Sequence, residues 1–202
     1  MVDHVVTDIR ELEAHYGTPG KASLIKVADH VTPLHAKWIM ASRFCVVSTT
    51  GPEGTDGSPR GDDGAVVQML DPKTLLLPDW RGNNRLDTLR NIVVDGRISL
   101  MFMAPRSNNV IRVNGTAVVS LAPDLLDRFD RKGRQPRSVV VISVAEIYSQ
   151  CARALMRAGL WEVDDKSADL PTVGALLAEQ EAGFDGVIYD VDWGARAAKT
   201  MW

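Results

Sequence analysis

Apolar positions along this chain alternate with polar ones, or run together in short β-branched blocks, more often than they recur at helical spacing. Residues 44–50 (Phe-Cys-Val-Val-Ser-Thr-Thr) form the first such block and Gly51-Pro52-Glu53-Gly54 ends it, which predicts a strand and a turn. Residues 65–70 and 74–78 predict paired strands, joined where Asp71-Pro72 presets a turn. In 97–103, Ile98, Leu100 and Phe102 alternate with Ser99, Met101 and Met103, the mark of a strand with two different faces. Residues 110–121 predict a long strand with Gly115 inside it, where a bulge or bend is expected. Residues 139–148 are the most continuous β-branched run and predict a central strand.

Helical signals are shorter. Residues 9–16 predict a brief helix. Thr32-Pro33 is an N-cap followed by proline at the first helical position, so 34–42 should be helical, with Leu34, Trp38 and Ala41 on one face. Leu86, Leu89, Ile92 and Val93 recur at three- and four-residue spacing and predict a helix over 83–93, closed by Asp95-Gly96. Further helices are expected over 123–131, over 151–160 with Ala152, Leu155 and Met156 inward, and from Pro171 through Glu181. A terminal segment, 190–202, should dock through Trp193 or Trp202.

About six strands joined by short turns, with little strand–helix alternation, point to antiparallel neighbours rather than a parallel sheet. Curling into a small barrel would remove exposed edges. The expected architecture is therefore a barrel with covering helices, mainly β with peripheral helices, although propensity alone does not exclude an open sheet.

Composition narrows the function classes. The chain has 202 residues, 45% hydrophobic and 24% charged, as in an ordinary globular domain, and its formal net charge of −3 argues against a general nucleic-acid or membrane-surface binder. Cys45 and Cys151 are far apart, and His4, His15, His30 and His35 lack ligand spacing, so neither a disulfide framework nor a metal site is expected. No basic-then-apolar leader and no membrane-length apolar run is present, which makes the cytoplasm the expected compartment.

The segments that stand out are Ser58-Pro59-Arg60-Gly61-Asp62, read as part of a polar loop, and Pro78-Asp79-Trp80-Arg81-Gly82-Asn83-Asn84-Arg85. Gly and Asn at a helix entrance leave backbone N–H groups free, and the dipole favours an anion there. Arg60, Arg81 and Arg85 would add forked donors suited to phosphate oxygens. Each also has a plainer reading: solvated loop arginines, Trp80 as a packing aromatic, Cys151 as a small hydrophobe, Arg112 in a cross-strand ion pair, and Asp62-Asp63 as a solvated turn.

In chain order these segments, with Asn91-Ile92, Ile111-Arg112-Val113-Asn114-Gly115 and Cys151-Ala152-Arg153-Ala154-Leu155, resemble the pyridoxamine 5′-phosphate oxidase-like family of FMN-binding split barrels. The nearest branch carries an Arg-Gly-Asn loop and a Cys-Ala-(Lys/Arg)-Ala segment. The resemblance covers roughly residues 35–165, leaving an N-terminal extension (1–34) and a C-terminal helical one (166–202). It implies a six-stranded antiparallel split β-barrel and a homodimer with FMN in a groove between subunits. Arg60 and Arg85 would hold the phosphate, helped by Asn84 and the backbone at Gly82 and Asn83. Pro78, Asp79 and Trp80 would lie along the flavin or its ribityl chain. Asn109 and Arg112 would approach from the second subunit, and Cys151 and Arg153 would sit near the cofactor.

The expected activity is an FMN-dependent oxidoreduction of a small organic substrate, with no residue standing out as a general base. The tail Gly186-Val187-Ile188-Tyr189-Asp190-Val191-Asp192-Trp193 offers nothing equivalent to the Arg and His that grip pyridoxal phosphate in true pyridoxamine 5′-phosphate oxidases, so vitamin B6 oxidation is disfavoured. A same-fold enzyme using deazaflavin F420 or haem, and a non-enzymatic flavin-binding dimer that stores or senses, are the alternatives.

Overall fold

The fold was obtained as a computed structural model, which describes residues 2–162, 165 and 167–201. Its frame is one antiparallel sheet of seven strands: β1 (Phe44–Gly51), β2 (Gly54–Gly61), β3 (Gln68–Asp71), β4 (Thr74–Asp79), β5 (Arg97–Met103), β6 (Val110–Ser120) and β7 (Ser138–Gln150). Their order is β2-β1-β5-β6-β7-β4-β3. The expected six-stranded closed barrel is thus corrected to seven strands with two edges. The added strand is β2, which holds the Ser58-Pro59-Arg60-Gly61 segment expected to be a loop. Its glycines and proline hide it from propensity, yet it pairs residue by residue with β1. At the sheet edge Pro59 costs no interior ladder hydrogen bond.

The strand expected over 65–70 is shortened, since β3 starts at Gln68, and the remaining strand expectations hold. The β1 and β5 bounds match to within a residue, and the register of β6 against β7 shifts between Asn114 and Gly115. Gly115 is there for space: a Cβ would stand 2.0 Å from the Ser143 carbonyl oxygen. On β6, Ile111 and Val113 are buried while Arg112 and Asn114 face the other way, half-buried. Asn114 accepts from the Ser99 hydroxyl at 2.6 Å and donates to Glu146 at 2.6 Å, a polar row across β5, β6 and β7. β7 lies inside the sheet between β6 and β4.

The buried face of every strand from β1 and β5 through β4 contributes to one core, with Cys45, Val47, Leu75, Leu100, Phe102, Val113, Ile142 and Ile147 fully buried. The sheet rolls around that core. Flat, five inter-strand steps would separate β2 from β4 by about 24 Å; instead Arg60 of β2 and Asp79 of β4 form an ion pair at 3.2 Å. The first and sixth strands face each other across a seam that no backbone ladder closes.

The helices are α1 (Ile9–Tyr16), α2 (Lys21–Ile25), α3 (Pro33–Ile39), α4 (Asp87–Val94), α5 (Pro123–Asp127), α6 (Arg153–Ala158), α7 (Val173–Gln180) and α8 (Gly186–Thr200). Thr32 caps α3, its hydroxyl accepting from the His35 N–H. Ile39 of α3 is buried and Trp38 packs partly buried against the core, while Leu34 is 80% exposed and Ala41 lies beyond the helix end, so of the expected Leu34–Trp38–Ala41 face only Trp38 turns inward. Met156 of α6 likewise faces solvent rather than the core. α5 ends four residues before the expected Arg131. Ahead of α3 the chain straps the sheet through paired hydrogen bonds between Ala28 and Ile147, 2.9 and 2.8 Å. Trp193 is more than half exposed, and Trp202 lies outside the described residues. No described helix is long and apolar enough to cross a membrane.

Candidate functional site

The seam gathers the cradle. Register sets Asp79, the last residue of β4, opposite Ser138, the first of β7, and the Arg137 N–H donates to the Asp79 carbonyl at 2.9 Å. β2 brings Ser58 and Arg60 from the far side. Residues 82–86 and the start of α4 form the third wall, and together these enclose a cavity of about 370 Å³.

α4 begins later than its apolar periodicity predicts. Asp87 is its first residue, and Leu86 before it sits at φ 64°, in the left-handed region. Asn84, at φ 61°, is also left-handed. Arg85 is therefore in an irregular loop, and the expectation that it occupies the first turn of a helix is corrected. Hydrogen bonds local to the loop set this: the Asn83 side chain accepts from the Arg85 N–H at 3.0 Å, competing with helical continuation. No side chain caps α4, and Leu86 to Leu89 border the cavity, so the donor-rich start of the helix is turned towards it. Thr88 fixes that end by donating its hydroxyl to Asp56 of β2.

Arg60 is three-quarters buried and pairs with Asp79, whose side chain is 14% exposed. Burial raises the Asp79 carboxyl above the ordinary carboxylate range, opposed by the charges of Arg60 and Arg137. Arg137 donates to the Asn84 side-chain oxygen at 3.0 Å, which ties the loop to the entrance of β7. The Ser138 hydroxyl is buried, 4% exposed as a residue, and has no hydrogen-bond partner among the described residues. A buried hydroxyl without a partner is uncommon because it forfeits its hydration. An anion between Arg60 and Arg137 would supply the acceptor.

Arg85 differs. Its side chain is 80% exposed and its Nε donates to Asp87 at 2.5 Å. Trp80 lies beneath Arg131, whose guanidinium carbon is 5.4 Å from the ring centroid. Arg131 also grips Asp62, and Asp63 at 2.6 Å, so the turn at Asp62 is pinned rather than solvated: the Asp62 side chain is 4% exposed. Pro78 is buried between Leu77 and Asp79. Arg81 and Gly82 are exposed in the loop. Cys45, beneath Arg60, is inert as a thiol, since burial pushes it up to about 12 despite the nearby arginine.

The other expected residues lie elsewhere. Arg112 pairs in register with Tyr148, its guanidinium 5.3 Å from that ring, so the plainer reading of a cross-strand ion pair does not hold against β7. Asn109, Cys151 and Arg153 are exposed around the same end of β6 and β7. From Arg112 to Val119, which lines the cradle, is seven residues along β6, about 23 Å at strand rise. A single chain does not bring these four residues to the cradle.

Sequence reasoning missed Arg137, Ser138 and Thr88. A cation directly before the strongest β-branched run was the available signal for Arg137. Its pairing with Asp79 depends on register, which no local pattern reports.

Residues 31–151, more than half of the chain, match the family model described as pyridoxamine 5′-phosphate oxidase. Among solved structures, a variant of HupZ from Group A Streptococcus has 19% identity and a TM-score of 0.50, over 59% of this chain and 99% of that one. An FMN-binding protein from Syntrophomonas wolfei subsp. wolfei has 12% identity and a TM-score of 0.43, over 71% and 97%. General stress protein 26 from Bacillus anthracis has 15% identity and a TM-score of 0.45, over 56% and 88%. At 19% identity the likeness to the HupZ variant bears on the fold alone. No curated protein matches the sequence.

Proposed function

The chain belongs to the pyridoxamine 5′-phosphate oxidase family, and from that premise we propose that it is an FMN-dependent oxidoreductase acting on a small organic substrate. The observation that carries the cofactor reading is that Arg60 and Arg137, from opposite sides of the seam, line one cavity together with the unpartnered Ser138 hydroxyl. Two guanidinium forks, a hydroxyl and an uncapped helix start form a donor set for a phosphate dianion. Arg60, Arg137 and Ser138 would hold the phosphate. Asn84 and the backbone of Gly82 and Asn83 would shape the loop around it, with Pro78, Asp79 and Trp80 continuing the wall. Arg85, turned out to Asp87, contributes long-range charge more than contact. Bound flavin would supply hydride and electron transfer, while the protein orients and shields.

A homodimer fits the division of the residues. Asn109, Arg112, Cys151 and Arg153 would complete the site from a second copy, since their own cradle is at the far end of β6 and β7.

The test is the visible spectrum of the purified protein, followed by chromatography of the cofactor released on denaturation. Flavin absorbance, released FMN and reduction by NADH or NADPH are expected. Colourless protein that takes up no added FMN overturns the cofactor reading. Bound FMN without turnover of any reductant or substrate favours a flavin-storing or sensing dimer.

A further inference from the structure

We infer that the cleft between the loop at Arg81 and the face of α8 is a second binding subsite, for a planar, anionic small molecule. Its volume is about 510 Å³, inside the roughly 300–1,000 Å³ range of small-molecule pockets. Tyr189 and Trp193 of α8, four residues apart and so on one helix face, hold their rings 24° from parallel with centroids 6.4 Å apart. The Arg196 guanidinium carbon sits 4.5 Å from the Tyr189 ring centroid and 5.4 Å from that of Trp193. Arg81 lines the opposite side.

Neither Arg81 nor Arg196 has a carboxylate partner among the described residues, although cations elsewhere in the fold pair readily, as Arg60, Arg97 and Arg131 do. Two such guanidiniums beside an aromatic shelf select for two properties at once. A flat conjugated ring stacks on Trp193, and a carboxylate or comparable oxoanion takes the forks. A neutral ring forfeits the forks and an aliphatic acid forfeits the shelf.

The cleft adjoins the cradle, since Gly82 and Asn83 line both. An occupant would lie beside the loop assigned to the phosphate, at the end of a cradle-bound flavin away from its reactive ring. That placement rests on the flavin reading; the affinity for planar anions does not.

The experiment is isothermal titration of the full-length protein with 2-naphthoate, against 2-naphthamide and octanoate. Naphthoate should bind at least about tenfold more tightly than either comparator. Arg196→Gln and Trp193→Ala should each weaken it about tenfold or more, the scale of one charge-assisted bond or one stacked ring. Circular dichroism and FMN content should stay at wild-type levels. No naphthoate binding up to about 1 mM, equal binding of the amide, or unchanged affinity in both variants overturns the inference. Loss of FMN together with naphthoate in Trp193→Ala would make the cleft part of the cradle and overturn a separate subsite. A protein with no flavin at all leaves this titration to stand or fall by itself.

Discussion

The rolled sheet and the helical hairpin of α7 and α8 are held in opposite ways. The sheet buries Phe102, Leu100, Ile142 and Ile147 completely and ties each interior strand on both sides by backbone ladders. In the hairpin the one fully buried residue of the two helices is Gly174. It makes the crossing possible: a Cβ on Gly174 would lie 2.0 Å from the Gly186 carbonyl oxygen, and Asp190 accepts from the Gly174 N–H at 2.8 Å. The cradle is built on the first region and the aromatic wall of the neighbouring cleft on the second. A cofactor held for the life of the protein gains from a wall that cannot yield, whereas a wall of low local stability can adjust to an exchanging ligand.

That comparison can be broken most directly in the core. Phe102→Ala should cost about 3–5 kcal/mol of global stability, the usual range for a buried aromatic, measured by urea unfolding. A loss under about 1 kcal/mol would show that the sheet is not the stabilising unit.

The cradle comes next. Arg60→Ala and Arg137→Ala should each weaken FMN retention by about 1.5–3 kcal/mol, whereas Arg85→Ala, exposed and already paired, should change it by less than about 1 kcal/mol. Equilibrium dialysis of the three variants ranks them. Arg85 costing as much as Arg60 would mean that the loop closes on the ligand.

Gly174→Ala should leave global stability nearly unchanged, within about 1 kcal/mol, while hydrogen exchange rises over residues 173–200 and not in the strands. Uniform exchange loss through β5 to β7 would make the hairpin part of the cooperative core.

The smallest effect concerns pH. The Asp79 carboxyl titrates above its unfolded value because burial disfavours the charge, so the folded chain holds this proton more tightly than the unfolded one. Its contribution to stability is fully present below the ordinary carboxylate value near 3.8 and is lost as pH rises through the raised value. Asp79→Asn removes that loss, so its Tm relative to wild type should rise as pH is raised from the ordinary carboxylate value near 3.8 and then level off. A flat or falling difference in differential scanning fluorimetry would mean that the Arg60 pair outweighs burial.

Strand periodicity in 44–50, 97–103 and 110–121 was legible because each residue's face follows from position alone, and a glycine inside a strand pattern announced the bulge at Gly115. The Arg60 and Asp79 segments were legible as cation- and glycine-rich interruptions suited to an anion. Four things were not. Gly54–Gly61 is a strand only because β1 is there to pair with it. The start of α4 is delayed by side-chain hydrogen bonds that periodicity does not count. Arg137 and Ser138 join the cradle through register. The aromatic face of α8 meets Arg81 only once the chain has folded.

By itself, then, the sequence determined the two faces of the strands with clear alternation, where the turns fall and which stretches carry anion-binding chemistry, since these depend on side-chain period and local backbone preference. Tertiary structure alone decided that a seven-stranded sheet rolls until β2 meets β4. Only that closure brings Arg60, Asp79 and Arg137 to one cavity, because their proximity is a property of strand order and curvature, and neither is written in any local window.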